Sequence, residues 1–225
     1  MKIIELPIEF VFNGQKNHIN PSLIILKNEL TLVDTGYPNF LPLIENEIIK
    51  NGYEMKNLKN IIITHYDIGS LYDFKEKYPL INIIASEIES KLISGEMKSE
   101  RLVQAEEMLR NMPNQEIEFG KWFIQQLKNL KHVSIDEKVH DGDLILDNEC
   151  RVVATPGHTS GHISLYFPSL KSVIAGDAAV KENHELVIAN PHFCLNVEEA
   201  EQSLRKIKDL EAVNYYCYHG GTFTL

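Results

Sequence analysis

The chain has 225 residues, 44% apolar and 24% charged, with a formal net charge of −10; this is the composition of a globular protein with side chains enough for a sizeable core. The negative balance argues against a nucleic-acid surface, which needs clustered Lys and Arg to replace phosphate counterions. No run approaches the ~18 apolar residues of a membrane span, and the segment from Met1 to Phe10, with Lys2, Glu5 and Glu9, lacks the uncharged stretch of a secretory signal.

The expectation is therefore a cytoplasmic protein with neither nucleic acid nor membrane as partner. Cys150, Cys194 and Cys217 are widely spaced and form no Cys-x-x-Cys pair, which suits reduced thiols acting as small buried hydrophobes. In chain order, residues 2–12 read as one long strand or a strand pair, closed by the turn signal Asn13-Gly14. Residues 22–26 and 30–33 form a hairpin that ends at Asp34-Thr35-Gly36. Phe40, Leu43, Ile44 and Ile48 recur at helical spacing, and Asn51-Gly52 stops that helix.

Next comes an apolar strand, Ile61-Ile62-Ile63, which opens at Thr64-His65-Tyr66-Asp67 onto a loop and a helix at 70–77; residues 80–85 are a further strand. This β-α-β alternation signals an α/β architecture. Residues 86–130 are helical in pattern, in two or three segments at 86–94, 99–112 and 116–130. Their apolar stripes are expected to pack on the main body, with a cap over a pocket or a homodimer surface as the alternatives. Strands return at 133–135, 144–146, 150–154, 163–167 and 172–175; Asn196 caps a last helix carrying Ala200, Leu204 and Ile207, and a strand at 212–218 ends the pattern. No Pro-, Gly- or Ser-rich linker interrupts the chain, so 1–225 reads as a single domain with two related halves and a helical insertion at about 86–130.

The chemistry lies at strand ends, where α/β proteins place their sites. His65 and Asp67, two residues apart, can both face a metal ion, since neutral imidazole and carboxylate are good zinc ligands; alone, the pair reads more readily as a surface His and a helix-capping Asp. Thr155-Pro156-Gly157-His158-Thr159-Ser160-Gly161-His162 comes after one strand, Ala175-Gly176-Asp177 ends another, and Tyr218-His219-Gly220-Gly221 ends a third. Each sets His or Asp close to a Gly, which lets backbone approach a ligand closely.

From Val33-Asp34-Thr35-Gly36 through Thr64-His65 to His219, the order and context of these motifs resemble the metallo-β-lactamase fold superfamily of hydrolases over nearly the whole chain. The resemblance implies a four-layer αββα sandwich with the metal groove along one edge. It implies a first metal site of His65, Asp67 and His158, a bridging Asp177, and His219 on a second site. Asp67 and Asp177 are thereby the catalytic candidates, Asp34 lies behind the site and orients a ligand, and His192, in Asn190-Pro191-His192-Phe193, touches substrate. His162 is expected to be structural.

One departure matters. The family's first metal motif reads His-x-His-x-Asp-His or His-x-Asp-x-Asp-His, whereas here Asp67 runs directly into Ile68-Gly69-Ser70. The missing x-Asp-His would hold two side-chain ligands of the second site. Losing three residues at a helix start rotates the rest of that helix by ~300° and moves it by ~4.5 Å, just short of a full turn, so the helix keeps its apolar face inward and the site bears the cost. The resemblance thus implies a hydrolase of a small ester, thioester, lactone or phosphoester that uses metal-activated water and holds one zinc rather than two, manganese and iron also suiting the donor set. The rival reading is a scaffold that has lost catalysis and binds a metabolite or protein partner.

Overall fold

Unbroken β-branched runs become the inner strands of two packed sheets, because a strand covered on both faces cannot alternate apolar and polar residues. The computed structural model describes residues 1–12, 14–66, 69–113 and 116–225, with the backbone alone for Phe12. Its first half runs β1 (Lys2–Glu5), β2 (Ile8–Phe12), β3 (Gln15–Ile19), β4 (Ser22–Leu26), β5 (Glu29–Val33), α1 (Leu41–Lys50), β6 (Leu58–Ile63), α2 (Leu71–Lys77) and β7 (Asn82–Ser86). Three helices come next, α3 (Glu87–Ser94), α4 (Glu100–Leu109) and α5 (Ile117–Lys128), and then β8 (Glu137–Val139). The second half runs β9 (Leu144–Ile145), β10 (Cys150–Ala154), β11 (Ile163–Phe167), β12 (Ser172–Gly176), β13 (Val180–Glu182), β14 (Glu185–Val187), α6 (Val197–Lys208), β15 (Asn214–Cys217) and β16 (Gly221–Thr224).

Among the described residues the sheets are ordered β1-β4-β5-β6-β7-β8 and β16-β15-β12-β11-β10-β9. In the first, β5 to β8 are parallel neighbours, and each parallel step needs a crossover, supplied by α1, α2 and the α3–α5 insertion. The C-terminal ends of β5, β6 and β7 therefore share one edge, which delivers Asp34, Thr64-His65 and the start of α3 together. In the second sheet β12 and β15 are parallel, and β10 shares their direction through two antiparallel pairings with β11. Their ends deliver His158, Asp177 and His219 to the facing edge.

Between the sheets pack Ile24, Val33, Ile62 and Ile84 from one side and Val152, Leu165, Phe167 and Ile174 from the other. The outer face of the first sheet is covered by α1 and α2 through Leu41, Ile44, Ile48, Leu71 and Phe74. That of the second is covered by α6 through Ile207 and Leu204. This is the expected αββα layering. The helix after the gap does keep its apolar face inward, since Leu71 and Phe74 are both fully buried, and the Ser70 hydroxyl ties its start to the Thr35 carbonyl at 2.6 Å.

Two sequence expectations need correction. Residues 133–135 are not a strand; pairing with β7 begins after Asp136, whose carboxylate accepts from Ile83 N–H at 2.9 Å in place of a ladder bond. The stripes of α4 and α5 do not pack chiefly on the sheets: Ala105, Ile124 and Leu127 form a cluster of their own with Leu102, Leu109, Phe123 and Leu130. The strand pair read over 2–12 is present as β1 and β2, although β2 pairs with β3 in a separate two-stranded ribbon and Asn13 of the expected turn lies outside the described residues; a second ribbon, β13–β14, was too short and polar to stand out in the sequence. No helix among the described residues is long and apolar enough to cross a membrane, and the three cysteines are free and buried, as expected.

Because α2 is held to the sheet by few side chains, Phe74→Ala should remove about 3–5 kcal/mol of unfolding free energy, read by urea denaturation. A loss under about 0.5 kcal/mol, the ordinary surface range, would show that α2 is not anchored through this ring.

Candidate metal centre

Three imidazoles converge on one carboxylate oxygen. The Nε2 atoms of His65, His158 and His219 stand 3.6, 3.5 and 3.6 Å from Oδ2 of Asp177, which is 5% exposed. Its Oδ1 is buried and has no hydrogen-bond partner among the described residues. Donor atoms of His65, His158 and Asp177 all lie within 4.8 Å of one another, while His219 approaches through Asp177. A buried carboxylate oxygen without a partner is costly, and two imidazole nitrogens with a carboxylate are a zinc-type donor set; these residues fit a divalent ion. Burial works to raise the Asp177 carboxyl, but the imidazoles of His219, His65, His158 and His162 outweigh it and hold it below the usual carboxylate range. Asp67 lies outside the described residues.

The orientation of His65 is set from behind. Asp34, in the left-handed region at φ 64°, accepts from Thr64 N–H at 2.9 Å and from the Thr64 hydroxyl at 2.8 Å. With its one proton so used, the hydroxyl oxygen accepts from His65 Nδ1 at 2.9 Å. Nε2 is left with the lone pair that a metal would take. Asp34 thus reaches the imidazole through Thr64 rather than directly. Burial pushes its carboxyl up to about 7, against the two Thr64 bonds and with help from the charge on Asp177.

His162 serves the backbone. The Asp177 N–H donates to its Nε2 at 3.0 Å, so Nδ1 carries the proton and donates to Thr155 Oγ1 at 2.8 Å. Beyond it, Thr155 meets Ser164 Oγ at 2.9 Å, and Ser164 donates to the Ala175 carbonyl at 3.1 Å. Two glycines are obligatory here. A Cβ on Gly157 (φ +132°) would lie 2.2 Å from Ala200 N, and one on Gly176 (φ +55°) would lie 2.6 Å from Thr64 Oγ1.

Two further residues had no individual sequence signal. Glu89, fully buried on α3, accepts from Tyr66 N–H at 3.0 Å and from the Thr159 hydroxyl at 2.5 Å, so one carboxylate ties the loop after His65 to the loop after His158. The pattern Ser86-x-x-Glu89 marks a capping box, and Ser86 does accept from Glu89 N–H at 3.1 Å; the glutamate side chain instead faces the site. Arg101, on α4, brings a guanidinium nitrogen to 3.2 Å from His158 Nε2.

Asp34, His65, Arg101, His158, Asp177 and His219 floor a cavity of about 660 Å³ whose walls are aromatic: Phe10, Tyr37 and Phe40 on one side, Phe119, Trp122 and Phe123 from α5 on another, with Phe193 and Tyr218. Phe10, Tyr37 and Phe40 meet edge-on at 5.1 to 5.5 Å between centroids. The 190–193 segment reaches the cavity through Asn190 and Phe193; His192 is exposed and is not among the lining residues.

A family model of the metallo-beta-lactamase superfamily matches residues 15–219. The chain is 27% identical over 215 residues to a probable metallo-hydrolase, YflN, of Bacillus subtilis (strain 168), covering 86% of this chain and 76% of that one. It is 38% identical over 130 residues to a hydroxyacylglutathione hydrolase of Chelativorans sp. (strain BNC1), covering 42% and 51%. Among solved structures, a metallo-beta-lactamase family protein of Thermus thermophilus superposes with a TM-score of 0.72 at 21% identity, over 99% of this chain and 74% of that one.

Thr64→Val keeps the shape and removes the hydroxyl, so zinc affinity should fall ~10–100-fold, measured by chelator competition; unchanged affinity would show that Thr64 does not orient His65. In the metal-free protein, the raised Asp34 pKa means that the folded state holds this proton more tightly than the unfolded chain, whose value is ~3.9. Its contribution is complete below that value and is lost as pH rises through about 7. Urea midpoints from pH 4 to 8 should show this decline in the parent and not in Asp34→Asn.

Proposed function

The chain belongs to the metallo-β-lactamase superfamily, and from that premise we propose that it is a metal-dependent hydrolase of a small thioester or ester with an apolar acyl part. The observation that carries this is the convergence of three imidazoles on the buried Asp177 carboxylate at the floor of an aromatic cavity. The resemblance to hydroxyacylglutathione hydrolases, whose name describes an acyl thioester, favours the thioester. Lactones and phosphoesters are the remaining classes for the same chemistry.

A divalent ion on His65, His158 and Asp177 would lower the pKa of water toward ~7 and polarise the scissile carbonyl. The chain's own residues do the rest. The Asp34–Thr64 pair keeps the His65 lone pair turned inward, His162 holds the Asp177 backbone in place, and Asp177 stays ionised among its imidazoles. The rings of Phe10, Phe119 and Trp122 exclude water and take up the acyl arm, while His219, whose side chain is 37% exposed, faces the polar end of the substrate at the rim. One zinc is proposed rather than two, since beyond Asp177 only His219 of the expected second-site ligands is in this sequence.

After exhaustive dialysis the protein should retain one zinc per chain by mass spectrometry. His158→Ala should lose it, and His162→Ala should keep it while unfolding at lower denaturant. Two retained equivalents would contradict the single-ion proposal, and no retained metal would favour the non-catalytic scaffold. On a panel of acyl thioesters of increasing chain length, Trp122→Ala should raise KM roughly tenfold for an octanoyl substrate with little change for acetyl, as expected when a few methylenes lose their burial. Failure of the metal-loaded protein to hydrolyse any of the four classes would overturn the proposal.

A further inference from the structure

Arg101 enters the centre from the insertion and takes up the His158 nitrogen that a metal ion would need. It is 3% exposed and stands in the first turn of α4, whose start is capped by Ser99 Oγ accepting from Leu102 N–H at 3.1 Å. Its Nη2 lies 3.2 Å from His158 Nε2. A guanidinium has only donors, so this imidazole nitrogen is the acceptor and bears the lone pair. The same nitrogen is the one turned toward Asp177, 3.5 Å from Oδ2. A single in-plane lone pair serves one partner at a time.

The guanidinium is also held from its other side. Nη1 donates to the Phe193 carbonyl at 2.6 Å and to Gln104 Oε1, and Gln104 in turn donates to the Cys194 carbonyl at 3.0 Å. A planar fork bonded on two sides is a preorganised cation rather than a wandering side chain. It sets one positive charge against His158 at a buried position, where a divalent ion on the same nitrogen would bring two; both together would repel strongly in a setting shielded from water.

We propose that Arg101 is a built-in cation of this centre, competing with the metal ion for the Nε2 lone pair of His158 and so weakening the hold of the centre on metal. The inference rests on the reading that His158 and Asp177 are metal donors. It makes the helical insertion part of metal loading: an ion that takes His158 must first displace the arginine, which already lines the cavity.

Zinc chloride titrated into the full chain against a chromophoric chelator tests this. Arg101→Met should bind zinc ~10-fold more tightly or better, because the rival cation is gone, whereas Arg101→Lys, which keeps the charge, should stay closer to the parent. A purely structural arginine would shift affinity the other way, since its loss would loosen His158. Affinity in Arg101→Met equal to or weaker than the parent overturns the proposal. If that variant does not fold, Gln104→Leu carries the test: it keeps Arg101 and His158 but removes an acceptor that holds Nη1, and tighter zinc binding is expected, with unchanged or weaker binding overturning the idea. Equal affinities with hydrolysis intact would remove the role of Arg101 and leave the hydrolase standing; absence of zinc binding in every protein would overturn both.

Discussion

A carboxylate buried among imidazoles is the constraint on which the rest of this molecule depends. Asp177 is sequestered from water, with one oxygen shared among three histidines and the other without a partner among the described residues. Such a group is stable only if its surroundings supply positive charge or a ligand, and they must be rigid to do so. The surroundings come from both halves of the chain, His65 from the end of β6 in one sheet and His158 and His219 from β10 and β15 in the other. Sheet stacking alone would leave these loops free to drift, and specific ties prevent it. Ile163 N–H donates to the Thr64 carbonyl at 2.9 Å across the sandwich, and Glu89 joins the two histidine loops.

The short connection after Asp67 is tolerated for a related reason. The fold depends on Leu71 and Phe74 reaching the first sheet, and a loss of nearly one helical turn leaves that face in place. By the family resemblance, what such a loss removes is two side-chain ligands of a second metal site. Fold and site therefore separate: the sandwich keeps its layers, while the site retains one compact donor group, His65, His158 and Asp177, with His219 beyond it.

Much of this was legible in the sequence because the chemistry sits at strand ends, where a β-branched run stops and a glycine stands next to a His or Asp. His158, Asp177 and His219 could be singled out in that way, and His65 by the end of the β-branched run alone; Gly157 and Gly176 prove to be positions where a side chain would strike Ala200, Thr64 or His162. Asp34 could be placed near the centre but not its mediator, since nothing in Asp34-Thr35-Gly36 indicates that it would bond Thr64, 30 positions away. Glu89 and Arg101 were hidden for the opposite reason. Each sits in an amphipathic helix where charged residues ordinarily face solvent, and their partners, Thr159 and His158, are 70 and 57 residues distant. The aromatic wall of α5 showed its periodicity but not its target, because helical spacing says which residues share a face and not what that face meets.

The insertion thus closes the cavity with aromatic rings and, through Arg101, touches the centre itself. The central claim, that His65, His158 and Asp177 hold a metal ion, is tested most directly by crystals grown with one equivalent of zinc and measured on both sides of the zinc absorption edge. A single anomalous peak bounded by Nε2 of His65, Nε2 of His158 and the Asp177 carboxylate is the expected result. No peak there, or zinc only at other positions, would contradict it.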